Sequence, residues 1–579
     1  MKHDLTVNKL PGHETKGKVM GIQKKAGDTI NPGDLLFTIE SGKGNMEFFS
    51  EFQGTLDALN VEEGQVVKKN EKIGQVTGEH VAGKKATKAS APAKKKTTKS
   101  TTGYSFGISK PAKKDLHADL VVVGGGPGGY VAAIRGAQAG LSVILIEEHK
   151  LGGTCLNYGC IPTKALASSV SVLEKIHESE NFGFGVSDVA INMNRVIERK
   201  DEVVSTLVGG VAHLMESNQI EVIEGKAFSI DENMVGVKTK KLDAKITFEK
   251  LILAMGSTCF YLPIEGHEDP ELLTSKELLE LTEVPKSLTI IGGGVIGMEF
   301  AFIYRALGAE VNVVEFLPQI LNLLDEDAAD VIRESAEEKG IRLFEGHAAC
   351  SIQTTLDGQK LVVVKLGDEK KYLTSEKVAM AVGRRANLNS MDLEKLGVDL
   401  NERKNGVAVD GFMRTSNPKV YAIGDLTNKL QLAHVASHQG IVAVDHIKGS
   451  EQEMRYDWVP SAIFTNPEVG HVGMTEKQAL ADGIEILVGK FPLAANGKAL
   501  AMGEPAGFVK IIAEKTSKTI IGGTVVGVHG TDMIATITNL IVAQKSLEEA
   551  EHVIYAHPTT AESIHEAILA SQGRAIHFG

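Results

Sequence analysis

Two cysteines five positions apart, Cys155 and Cys160 in Gly152-Gly153-Thr154-Cys155-Leu156-Asn157-Tyr158-Gly159-Cys160-Ile161-Pro162-Thr163-Lys164, lie just downstream of a glycine-rich turn. A close thiol pair beside a nucleotide fingerprint points to disulfide exchange coupled to a redox cofactor. In a two-electron couple a mismatch of 30 mV costs about 1.4 kcal/mol, so reversible flow requires dithiol, cofactor and final acceptor to lie close in potential. On a regular helix, residues five apart diverge by roughly 140°, so Cys155 is expected in an irregular first turn. The alternative is a pair of unpaired buried thiols. Cys259 and Cys350 have no such context and are expected to be ordinary buried residues.

The glycine-rich turn is Gly124-Gly125-Gly126-Pro127-Gly128-Gly129, between the apolar run Asp119 to Val123 and a helical stretch ending near Gly140. In a strand–turn–helix unit Gly124 permits the turn, Gly126 lets backbone amides approach a pyrophosphate, and Gly129 allows close helix–strand packing. The next strand ends at Glu147, whose carboxylate can accept from a ribose. One such fingerprint is weak evidence, but the pattern recurs. Gly292, Gly294 and Gly297 follow the strand Ser287 to Ile291, and a strand ending at Glu315 comes next. Two complete units imply two dinucleotides. Glu315 would repel a 2′-phosphate and no basic residue follows within six positions, so the second site is expected to take NAD rather than NADP.

The first eighty residues carry an internal repeat in which Gly17, Ile22, Gly27, Ile30 and Ile39 recur as Gly54, Leu59, Gly64, Val67 and Val76. Short β-rich runs broken by glycine predict a small barrel or sandwich. Ser41-Gly42-Lys43-Gly44 lies between the halves, where a hairpin would hold the lysine in solvent. This segment resembles a lipoyl or biotinyl domain. Glu40 matches the first acid of the lipoyl pattern, Met46 is displaced from the biotin pattern, and a downstream dithiol site would need lipoate, so lipoate on Lys43 is expected.

From Val81 to Lys114 the chain is dominated by Lys, Ala, Thr, Ser and Pro, without Asp or Glu. Such a stretch buries no core and reads as a solvated tether, although contact with an acidic partner is the alternative. As a coil of about 35 residues it would span roughly 30–35 Å. The whole chain has 579 residues, too many for one core, and its formal charge of −12 argues against nucleic acid as the general partner. Four cysteines argue against a disulfide scaffold. No apolar run reaches membrane-spanning length and no signal-peptide h-region follows Met1, so the cytoplasm is the expected location.

From Ala118 to Gly579 the chain resembles the pyridine nucleotide-disulfide oxidoreductases, and among them the dihydrolipoamide dehydrogenases. Gly153-Thr154-Cys155 through Cys160-Ile161-Pro162 is similar to the family's redox-disulfide signature, Tyr421-Ala422-Ile423-Gly424-Asp425 to its second FAD motif, and Leu253-Ala254-Met255-Gly256-Ser257 to a third FAD-associated stretch. Ala556-His557-Pro558-Thr559-Thr560-Ala561-Glu562 resembles the catalytic-base segment. The family pattern is departed from at Met255, where threonine is usual, at Ala386, where proline is usual, and at Tyr555, where histidine is common.

The resemblance implies an α/β fold of two Rossmann-like domains, for FAD and NAD, plus an α+β dimerisation domain, preceded by the small all-β domain. The corresponding boundaries are 1–80 for the lipoyl domain, 81–117 for the linker, 118–265 and 389–458 for the FAD-binding parts, 266–388 for NAD, and 459–579 for dimerisation. It implies that Cys155 exchanges with substrate and Cys160 faces the flavin as a charge-transfer donor. Lys164 and Glu299 pair near the flavin N5 edge, and Asp425 meets the ribityl chain. His557, oriented by Glu562, serves the disulfide of the opposite subunit, which makes the protein a homodimer. The implied activity is oxidation of protein-bound dihydrolipoamide with reduction of NAD in a 2-oxo acid or acetoin dehydrogenase complex, the partner being a dihydrolipoyl domain of the acyltransferase. No metal is expected. The alternatives are a carrier or assembly protein presenting a modified lysine, or a related reductase of another disulfide. Glu315 opposes the NADP-linked reductases, and no C-terminal cysteine pair exists for mercury.

Overall fold

The computed structural model describes residues 2–7, 16–31, 34–41, 44–50, 52–69, 71–80 and 111–578. The chain divides into two units, Met1–Gly107 and Ile108–Gly579. In the first, eight strands form two four-stranded antiparallel sheets: β1 (Lys2–Thr6), β8 (Lys72–His80), β6 (Phe52–Leu59) and β3 (Thr29–Ile30) in one, β5 (Gly44–Phe49), β4 (Leu35–Ser41), β2 (Lys16–Met20) and β7 (Val66–Lys68) in the other. The sequence repeat dictates this exchange. Gly54 of β6 lies opposite Ile30 of β3, while its repeat mate Gly17 in β2 lies opposite Val67, the mate of Ile30. Ile30, Val67, Ile39 and Val76 are all fully buried in the shared core. β4 and β5 pair as far as Ser41 opposite Gly44. Lys43, the expected attachment point, and Gly42 lie outside the described residues.

In the second unit, β9 (Ala112–Val123), α1 (Pro127–Gln138) and β10 (Val143–Glu147) form the expected strand–turn–helix–strand unit. The segment with the two close cysteines supplies α2 (Gly153–Tyr158) and α3 (Cys160–His177), and the chain continues through α4 (Met193–Ser217), β11 (Glu221–Glu224), β12 (Ala227–Asp231), β13 (Met234–Lys238) and β14 (Leu242–Leu253). The sheet runs β11-β10-β9-β14-β13-β12; its first four strands are parallel, and Val420–Ala422 returns to pair parallel with β14.

One boundary differs from expectation. The segment read as linker to residue 117 is already strand from Ala112, which pairs with Leu242 of β14. Lys113 and Lys114 are exposed there, so the ladder rather than burial orders them, and composition alone could not reveal it. Residues 81–110 lie outside the described residues.

The second dinucleotide fold has four parallel strands in the order Arg342–Phe344, Glu310–Val314, Ser287–Ile291 and Lys377–Met380, with the helix Val295–Ala306 after the second glycine turn. A five-stranded antiparallel sheet follows, from Ser461–Ile463 to Ile486–Pro492 at its edges. Helices Gly530–Val542 and Glu562–Ala570 share its core through Ile534, Ile537, Ile564 and Ile568. Among the described residues no helix is long and apolar enough to cross a membrane.

Candidate active site

The two glycine turns are built alike, atom for atom. Gly124 (φ +106°) and Gly292 (φ +113°) both adopt a backbone that disfavours side chains, and a Cβ on them would lie 2.3 Å from the Ala254 carbonyl oxygen and 2.5 Å from that of Ala381. At the carboxyl end of the next strand, Glu147 accepts the N–H of Gly125 (2.6 Å) and of His149 (2.7 Å); Glu315 accepts those of Gly293 (2.7 Å) and Leu317 (2.8 Å). Each carboxylate is thereby held across the mouth of its turn, where a ribose hydroxyl would meet it. A Cβ on Gly294 would meet nothing within 4 Å, and one on Gly126 only the Gly153 Cα at 3.9 Å. The ground before both helix N-termini is therefore clear for a pyrophosphate. Gly129 and Gly297 do not line the cavity; each lets its helix close on its own turn, with a Cβ position 1.8 Å from the Gly124 oxygen and 1.9 Å from the Gly292 oxygen. Their service to a cofactor is packing, not contact.

Both turns open into one cavity of about 1320 Å³, lined also by Cys155, Cys160, Lys164, Gly256, Glu299, Gly424 and Asp425. Cys155 lies within the short α2, Gly159 breaks the helical path (φ −143°, ψ −113°), and Cys160 opens α3. That break brings thiols that a continuous helix would separate into a hydrogen bond. No covalent bond joins the two sulfurs in this structure. The bond from Cys155 brings Cys160 down to about 7, assisted by the Lys164 ammonium and opposed by the partial loss of hydration within a concave site. Cys155, holding the shared proton, is pushed up. The helix N-terminus at Cys160 favours the same anion.

Lys164 donates to both carboxylate oxygens of Glu299 at 2.8 Å, and Glu299 is buried. The Phe464 N–H holds the same carboxylate at 3.0 Å, and its ring lies 4.3 Å from the Lys164 ammonium. Phe464 carried no signal in the sequence, because it comes from the far end of the chain. Asp425 is likewise fixed from a distance: Ser257 Oγ donates to it and accepts from Arg384 Nε at 2.7 Å, while Arg384 Nη2 bonds the Ser257 carbonyl at 2.7 Å. Ser257 and Arg384 are consecutive members of no motif; they meet because Ser257–Cys259 pairs antiparallel with Arg384–Ala386. Gly424 (φ +67°) gives its N–H to the fully buried Gln439 at 2.6 Å.

A family model described as pyridine nucleotide-disulphide oxidoreductase matches residues 118–440, and the dimerisation domain of the same family matches 459–568. The chain belongs to the pyridine nucleotide-disulphide oxidoreductases. A third model, described as biotin-requiring enzyme, matches residues 6–76. Similar relatives in the family are dihydrolipoyl dehydrogenases of Chlamydia muridarum, 42% identical over 79% of this chain and 98% of the relative, and of Bacillus subtilis, 38% identical over 79% and 99%. Among solved structures, LpdA of Mycobacterium tuberculosis superposes with a TM-score of 0.73 at 28% identity, covering 78% of this chain and 99% of that one. The HOCl-induced flavoprotein disulfide reductase RclA of Escherichia coli gives 0.69 at 29%, covering 78% and 99%.

The first turn with Glu147, Gly256, Gly424 and Asp425 suits FAD, the oxidoreductase family's flavin, and the second turn with Glu315 suits NAD. Of the expected catalytic residues, His557 and Glu562 lie outside the cavity lining. His557 is exposed, and its Nδ1 stands 2.9 Å from Glu562 Oε1. Burial alone would raise Glu562, but the Thr559 N–H and the His557 imidazole outweigh it and hold the carboxyl below its usual range.

Two cysteine expectations are corrected. Cys259 is half-buried, with its sulfur 3.6 Å from Arg384 Nη1. Cys350 is exposed, because the register of its strand shifts between Ala349 and Ser351 and the bulge turns it outward.

Proposed function

We propose that the protein is an NAD-linked dihydrolipoyl dehydrogenase that oxidises a protein-bound dihydrolipoyl group. The observation that carries this is the Cys155–Cys160 dithiol lining the same cavity as two separately built dinucleotide turns. In the working cycle the dithiol starts as a disulfide. A substrate thiolate attacks Cys155, a mixed disulfide forms and Cys160 departs as thiolate; the second substrate thiol then attacks its own sulfur in that bond, releasing oxidised lipoyl. The low pKa of Cys160 supports its part as leaving group and retained anion, and the proton held by Cys155 supports the division of labour. FAD held by the first turn with Glu147, Gly256, Gly424 and Asp425 would supply the two-electron redox chemistry that links the dithiol to NAD. The Lys164 charge, neutralised only on its Glu299 side, favours added negative charge in the cavity.

His557 with Glu562 is the base that takes the substrate thiol proton. Its exposure on the dimerisation domain supports action on the partner subunit's disulfide in a homodimer. Lys43 carries lipoate, which ferries electrons within a 2-oxo acid or acetoin dehydrogenase complex or serves as local substrate, and the acyltransferase component supplies the protein-bound dihydrolipoyl group. The setting is the cytoplasm.

The test is NAD-linked oxidation of dihydrolipoamide by the FAD-loaded full-length chain. Cys155→Ser should lose at least about a thousandfold in turnover. Undiminished turnover in that variant would sink the disulfide relay through Cys155, and absence of turnover in the FAD-loaded wild type would leave the carrier reading. Intact mass of the peptide containing Lys43 decides lipoate against biotin.

A further inference from the structure

Beyond Glu315 the chain folds back over the second pyrophosphate turn before the helix Glu326–Glu338 begins. The Leu321 N–H bonds the carbonyl of Gly293, the central glycine of that turn, at 3.0 Å, and the Leu317 carbonyl accepts from the Gly346 N–H at 2.8 Å. Leu321 has a left-handed backbone (φ +47°), which disfavours a side chain, and both it and Ile320 are buried. Such a conformation persists only where the surroundings hold it. Here the holder is Glu345. Its carboxylate accepts the Ile320 N–H at 2.6 Å and sits in the fork of Arg333, which donates from Nε at 2.7 Å and from Nη2 at 3.2 Å. A two-pronged clamp of this kind fixes the carboxylate in direction as well as in place. Without it the buried Ile320 N–H would lose its acceptor, and nothing would hold Leu321 against Gly293.

What the loop shows to the cavity narrows the ligand. Phe316 and Leu323 line it and are 71% and 76% exposed, so the wall just past the ribose acid is apolar and accessible. In a dinucleotide laid from the turn across Glu315, the group carried by that ribose is a flat base. A base buries its faces against apolar and aromatic side chains, provided that these stay in place.

We propose that Glu345, clamped by Arg333, is a positioning residue for the adenosine end of NAD: it holds loop 316–324 so that Gly293 keeps its place in the turn and Phe316 and Leu323 form a wall for the base. This rests on the NAD reading of that turn. The test uses the FAD-loaded full-length protein and calorimetric dissociation constants. Glu345→Ala should raise those of NAD and of ADP-ribose, which has no nicotinamide, about tenfold each. Flavin content should be unchanged, and oxidation of reduced nicotinamide mononucleotide, which lacks the adenosine end, by an artificial acceptor should stay within about twofold of wild type. Glu345→Gln, whose amide oxygen can still accept from Ile320, should weaken NAD by less than about threefold. Arg333→Gln, at a partly exposed position, should weaken it about threefold and carries the test if Glu345→Ala does not fold. NAD affinity unmoved in the folded Glu345→Ala protein, or unmoved in Arg333→Gln where the alanine variant does not fold, overturns the proposal. So does an equal loss with reduced nicotinamide mononucleotide, which would assign the damage to the whole domain. Failure of the wild type to bind NAD overturns the NAD reading and this inference together.

Discussion

Replacing Gly297 by alanine should separate the two halves of the reaction. Its Cβ would stand 1.9 Å from the Gly292 carbonyl oxygen, where side-chain carbons do not approach closer than 3.0 Å. The helix must therefore withdraw from its own turn by about 1.1 Å, because the obstacle is backbone and no rotamer relieves it. A displacement of that size breaks a hydrogen bond between a helix-terminal amide and a phosphate. Each charge-assisted bond of this kind contributes about 1.5–3 kcal/mol, so the dissociation constant for NAD should rise about 10- to 100-fold. The first turn is a separate structure, so flavin content and anaerobic reduction of the dithiol by dihydrolipoamide should survive. The matched change, Gly129→Ala, places its Cβ 1.8 Å from the Gly124 oxygen and should instead cost flavin content. Calorimetry with NAD and the visible flavin spectrum read both outcomes. Should Gly297→Ala bind NAD within about twofold of wild type while folded, the claim that helix and turn must touch to present those amides is wrong.

Three further outcomes follow from other parts of the molecule. Because Cys160 sits near 7, alkylation of this thiol in the reduced protein should reach its plateau just above neutral pH and fall about tenfold per unit in more acidic buffer, whereas an ordinary thiol would keep accelerating to about pH 9; mass-resolved labelling rates check it. Glu562→Gln removes the carboxylate that orients His557 and should lower dihydrolipoamide oxidation about 100-fold, leaving NADH oxidation by an artificial acceptor intact, as steady-state assays would show. Lys510→Met leaves Asp325, Asp327 and Glu476, whose oxygens now lie within 2.9 Å of a buried ammonium, without their cation. Since Asp327 and Glu476 are each about one-third exposed, water offsets part of the loss, and about 3 kcal/mol of stability should go in a denaturant titration.

Much of the candidate site was readable from the linear chain because its requirements are local. A positive-φ glycine, a strand end bearing an acid, and two thiols astride a glycine are short-range patterns, and the structure assembles each within a few residues of where it stands in sequence. The sandwich was equally legible, because the repeat places Gly17 opposite Val67 and Gly54 opposite Ile30 in equivalent pairings of the two sheets. The strand at Ala112–His117 was not, since exposed lysines there look the same in a ladder as in a tether. Nor was the outward turn of Cys350, which depends on a single-residue bulge.

By itself, then, the order of residues determined the two nucleotide folds, the family and a closely spaced cysteine pair. What only tertiary structure decided is how distant segments complete those units: Phe464 against Glu299, Arg384 through Ser257 onto Asp425, Lys510 among three carboxylates, and His347 beside Glu315. The reason is range. Turns and helix termini are dictated by the backbone preferences of neighbouring residues, whereas a partner thirty or more positions away depends on how whole sheets and helices pack, and no local pattern records that.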